Sequence, residues 1–136
     1  MSKATIRTLL ESRLKAWADA RPISVDWENQ TFGAPADTYL RFFILPAPTD
    51  SQTLDGSHRL YTGVFQISIV CPKDAGPQPG EAIEAELEAL FPYSLRVTSG
   101  NFELTQTSPL SAGPVINEAD RYTIPMSGTY RADTFI

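Results

Sequence analysis

The chain carries one histidine, His58, and one cysteine, Cys71. These are the side chains best suited to acid–base or nucleophilic chemistry near neutral pH. His58 ends a long polar stretch, next to Arg59 and close to Gly56, and reads as a solvated loop residue. Cys71 falls on the apolar face of a strand-like run, which predicts a buried, reduced thiol in a cytosolic protein. A lone cysteine cannot form an internal disulfide, and no metal-ligand spacing accompanies it. A Ser/His/Asp or Cys/His arrangement cannot be assembled from these two positions. Glu81, Glu84 and Glu88 share one helix face, and the bland reading of a solvated acidic face fits them better than a metal site. Asp74-Ala75-Gly76-Pro77-Gln78-Pro79-Gly80 places prolines where a phosphate loop needs free N–H groups. Arg121, Tyr122, Tyr130 and Arg131 come nearest to a basic–aromatic nucleic-acid surface, but an ordinary strand with its polar face outward accounts for them. The expectation is therefore a protein that is not an enzyme and has no catalytic residue, metal site or cofactor.

Composition narrows the class further. At 136 residues the chain reads as one domain, 1–136, able to bury roughly two-thirds of its unfolded surface. Hydrophobic residues make up 42% and charged residues 20%, the balance of a globular rather than a disordered chain. The net charge of −5 argues against general nucleic-acid binding, which needs a basic stripe to displace counterions. Met1-Ser2-Lys3 opens no apolar run of signal-peptide length. Phe42-Phe43-Ile44-Leu45 is the longest apolar cluster and is too short to span a bilayer, so no membrane partner is expected.

The elements that must position these residues follow from periodicity. Ile6, Leu9, Leu10, Leu14 and Trp17 form a helical stripe over 3–19, and Pro22 stops it. Residues 23–27 alternate as a short strand; Trp27 at its end suits core and interface equally. Residues 28–37 are turn-rich. Tyr39 to Leu45 is almost continuously apolar, as in a strand covered on both sides, or covered by helices on one side and by a neighbouring subunit on the other. Residues 46–57 make a long polar loop. In the strand that follows, Phe65, Ile67, Ile69 and Cys71 share one face, while Val64, Gln66, Ser68 and Val70 share the other.

After a Pro/Gly connection, Ile83, Leu87, Leu90 and Phe91 line a second helix over 81–91 that ends at Pro92. Residues 95–98 and 102–105 read as a hairpin turning at Ser99-Gly100-Asn101. Arg121 to Ala132 is the last strand; Pro125 within it predicts an edge position or a bulge. Together these give an α+β class: two helices packed on one face of a mostly antiparallel mixed sheet of about six strands. The apolar 39–45 strand, the long loops and an edge strand also point to self-association.

The chain resembles the phage tail terminator, or tail completion, proteins similar to the lambda minor tail protein U. The residues that carry the resemblance are Leu9-Leu10-Glu11-Ser12-Arg13-Leu14, Val25-Asp26-Trp27-Glu28-Asn29 with Phe32 and Pro35, Gly63 to Ile69, Pro79-Gly80-Glu81-Ala82, and Arg121 to Arg131. The resemblance implies a structural subunit of a phage or prophage. It would form a hexameric ring, cap the tail tube, stop its polymerisation and join tail to head. It also implies assembly in the bacterial host cytoplasm, a place in the virion tail, and contact with the tail tube protein and a head completion or connector protein. DNA would pass without specific binding. Asp50, Asp55, His58 and Arg59 are the candidates for loop contacts, and Arg121, Tyr130 and Arg131 for subunit contacts. A head–tail connector or other minor tail component, and a small ligand-binding domain or enzyme, are the alternatives.

Overall fold

The computed structural model describes residues 3–51, 53–73 and 76–135. The expectations at Met1, Ser2, Asp74 and Ala75 lie outside them. Two helices and eight strands follow in the order α1 (Lys3–Ala20), β1 (Val25–Asp26), β2 (Tyr39–Pro46), β3 (His58–Pro72), α2 (Gln78–Leu90), β4 (Arg96–Ser99), β5 (Phe102–Gln106), β6 (Ser111–Ala112), β7 (Ile116–Asn117) and β8 (Arg121–Phe135). The sheet runs β1-β2-β3-β8-β5-β4, with β6 and β7 also pairing with β8. All pairings are antiparallel except β1 with β2, so this is the expected α+β class with a mixed sheet.

Both helices cover one face. In α1 the residues that turn inward are Ile6, Leu10, Leu14 and Ala18, a spacing of four that keeps one stripe against the sheet. Leu9 and Trp17, expected in the stripe, lie at its margin, partly buried. The sheet answers with rows that cross three strands: Leu40, Ile69 and Ile124; Phe42, Ile67 and Met126; Ile44, Phe65 and Gly128. All of these but Gly128 are buried apolar side chains, each worth about 1.5–3 kcal/mol on burial.

The second helix starts three residues earlier than its apolar spacing suggests. Pro79 falls in the first turn, where a missing N–H costs nothing. Gly80 is thereby drawn into the helix and against the sheet, where a Cβ would stand 2.7 Å from Ile124 Cδ1.

The clearest departure from expectation is β8. Pro125 predicted an edge or a bulge, yet β8 is central, paired along its whole length with β3 and on its other side with β5, β6 and β7. The proline is accommodated by an interruption in that second side. Pro125 O accepts from Gly113 N at 2.7 Å, so its ring nitrogen faces the same way, into the gap between β6 and β7. The one ladder bond that Pro125 cannot donate falls opposite Gly113, just past the end of β6, where the pairing breaks off.

The β1 side of the sheet is closed to further pairing. Leu40 N donates to Ser24 O, and Ile44 N donates to the Glu28 carboxylate at 2.8 Å. Pro46 ends β2 without a donor. β4 forms the opposite edge.

Candidate assembly surfaces

The loop candidates occupy a structured turn, not a free loop. Residue 47 already pairs back, Ala47 N donating to Thr62 O at 2.8 Å. Asp50 and Leu60 then exchange backbone hydrogen bonds of 2.9 and 2.7 Å. Asp55 accepts from the N–H and hydroxyl of Ser57 at 3.0 and 2.8 Å. Those bonds hold its carboxyl below the usual carboxylate range. The Arg59 guanidinium turns onto the carbonyls of Gly56 and His58. Thr53 accepts from His58 N at 3.2 Å. At the tip, between these contacts, Leu54 is fully exposed.

His58 corrects the expectation of a solvated histidine. It is the first residue of β3 and only 4% exposed, with Nε2 at 2.8 Å from Asp133 Oδ1. Arg131 grips the same carboxylate through Nε at 3.0 Å and Nη2 at 3.2 Å. Arg131 first, and His58 after it, hold the Asp133 carboxyl below its ordinary range, against the effect of partial burial. Asp133 was not among the sequence candidates. Arg131 and Asp133 are two apart in a strand and so share a face. His58 joins them only because β3 and β8 pair in the register that sets His58 opposite Phe135.

The other last-strand candidates separate. Arg121, at the far end of β8, donates to Asp37 O at 3.1 Å and Pro35 O at 2.6 Å. Its guanidinium also lies 5.6 Å from the centre of the Tyr39 ring. It pins the connection between β1 and β2 over the sheet face away from the helices. Tyr130 points the other way, into the core under α1, and is 2% exposed. The subunit-contact expectation at Tyr130 thus falls on a core side chain. Burial pushes its phenol up.

Beyond the part of the sheet that the β1–β2 connection covers near Arg121, the face away from the helices is only partly buried. Phe43, Val64, Gln66, Pro125 and Ser127 are half-buried there, and Leu45 is exposed. Of the two coverings the sequence allows for β2, helices on one face is seen within the single chain, and among the described residues the other face carries no element of its own over Phe43 and Leu45. Trp27 settles partly buried, edge-on to Phe42 at 5.7 Å between ring centres.

Charge chemistry on the helix face of the molecule is simple. Glu84 is raised by partial burial first and then by Glu88 and Glu81, as expected of neighbouring like charges. Among the described residues no three His, Cys, Asp or Glu side chains converge as metal ligands. Among the described residues no helix is long and apolar enough to cross a membrane. A cleft of about 390 Å³ opens between the start of α1 and the β2–β3 connection, lined by Ile6, Pro46, Pro48 and Tyr130 among others.

A family model described as "Phage tail terminator protein" matches residues 5–130. Seven solved chains are similar to this one. One of them, which carries no descriptive name, is 39% identical, with a TM-score of 0.83 over 97% of this chain and 96% of that one. No curated protein matches the chain.

Proposed function

The chain belongs to the phage tail terminator family, a family of structural proteins of the virion tail, and from that premise we propose that it closes the tail tube. In this reading six copies form a ring on the growing tube, stop its polymerisation and present a surface that joins the finished tail to the head. Assembly takes place in the cytoplasm of the bacterial host, in the course of phage or prophage growth. The partners are further copies of the chain, the tube protein and a head completion or connector protein.

The observation that carries the proposal is the extent of the family match, which runs over residues 5–130 and so takes in nearly all of α1, the whole of α2 and most of β8. The net charge of −5 supports a channel that DNA traverses without sticking. The test is electron microscopy of purified tube protein polymerised with and without this chain. A ring at one tube end with growth arrested is the expected result. Tubes of unchanged length with no added density would move the role to a connector or another minor tail component.

A further inference from the structure

The loop tip at Leu54 and a groove beside β4 lie on opposite sides of the molecule, at the same level. Asp50, Leu60, Asp133, Glu103 and Thr98 are register partners in turn, one row across the sheet. Four strand spacings separate the ends of that row, on the order of 19 Å. At the Asp50 end stands Leu54, a fully exposed leucine held out by a braced turn. At the Thr98 end, one residue away from Val97, opens a groove of about 660 Å³ between α1, the end of α2 and β4. Leu9, Ala16, Trp17, Leu90 and Val97 line it, and its surface is mainly apolar.

The charges at the two ends are complementary. Asp50 and Asp55 flank the leucine, and among the described residues their carboxylates accept from Ser51 and Ser57 of the same loop. The groove carries Arg13, whose Nε donates to Leu90 O at 2.6 Å, leaving its charge without a carboxylate among the described contacts. Arg96 lies exposed on the adjoining edge strand.

We infer that the Leu54 turn of one copy inserts into the α1–α2–β4 groove of the next, with Asp50 and Asp55 meeting Arg13 and Arg96. The occupant is thus a second copy of this chain, and the inference rests on the proposed ring. A contact between two different patches on opposite edges is heterologous: it repeats around a closed ring and does not stop at a pair. A leucine seated in an apolar pocket behind a charged rim has the apolar core and polar rim of a specific interface. The opposite pairing route, strand to strand through β2, is closed by Glu28 and Pro46.

The test uses Leu54→Cys and Ala16→Cys, both at exposed positions, in the full chain with a short bis-maleimide. Cys71 is buried and serves as its own control in the parent. Added to polymerising tube protein, the double variant should give a ladder that ends at a closed species. A mixture of the two single variants should stop at dimers, and each single variant alone should stay monomeric. Monomers only, with rings visible on the tubes, would overturn the contact and leave the proposed function standing. Dimers of the Leu54→Cys variant alone would show a symmetric contact and overturn it as well. No ring, no arrest and no ladder would sink both readings.

Discussion

The Tyr130 ring lies across Gly63 on the neighbouring strand, and a Cβ at Gly63 would stand 2.6 Å from the Tyr130 hydroxyl oxygen. It would also stand 2.7 Å from the Leu45 carbonyl, a backbone atom that cannot swing aside. A core tyrosine on β8 thus depends on a missing side chain on β3. Gly63→Ala should lower stability by about 1–3 kcal/mol, the range for overpacking a filled site. Urea unfolding followed by tryptophan fluorescence reads this directly. An unchanged midpoint would mean that Tyr130 does not occupy that space.

Gln106 is a buried strap between elements. Its Nε2 donates to Phe91 O and Ser108 O, each at 2.8 Å, tying the end of α2 to β5 and the segment after it. Its Oε1 has no partner among the described atoms, so the two donated bonds are what the side chain contributes. Gln106→Leu keeps the volume and removes both bonds. A loss of about 1–3 kcal/mol is expected, because two carbonyls lose their donor. Amide hydrogen exchange should also quicken around Phe91 and Ser94. Stability equal to the parent would show that water replaces the amide without cost.

Asp133 sets an acid limit. Its carboxyl is held below the ordinary value of 3.8 by Arg131 first and His58 next, with Glu103 facing it from β5 as the like charge in the same row. A folded value below the unfolded one means stabilisation that is complete above the ordinary carboxylate value. That stabilisation is lost as pH falls through the depressed folded value. Asp133→Asn should be less stable than the parent near neutrality. The gap between the two should begin to narrow below about pH 4, where the unfolded chain's carboxylate takes up its proton while the folded one stays charged, and close below the depressed folded value. Urea midpoints at a series of pH values measure this. Parallel curves with a constant gap would show that the shift plays no part.

Periodicity within one element is legible in the sequence. Phe65, Ile67, Ile69 and Cys71 alternate, and all four are buried on the helix side of β3. Ile6, Leu10 and Leu14 recur at helical spacing and face the sheet. Pro79, by contrast, looked like part of a connection. A proline in a first helical turn and one in a loop are alike in sequence, and only packing against β3 and β8 distinguishes them.

Sequence by itself determined the periodic elements, the α+β class and, through the order of several weak motifs, the resemblance to tail terminators. Each of these rests on contacts between near neighbours, or on a pattern of such contacts. The tertiary structure alone decided that β8 is central, that His58 is buried on Asp133, that Tyr130 turns inward, and that the Leu54 turn and the α1–β4 groove stand at opposite ends of one row across the sheet. Those outcomes depend on which strands pair and in which register. A shift of one residue would exchange the two faces of a strand while leaving its local sequence pattern unchanged.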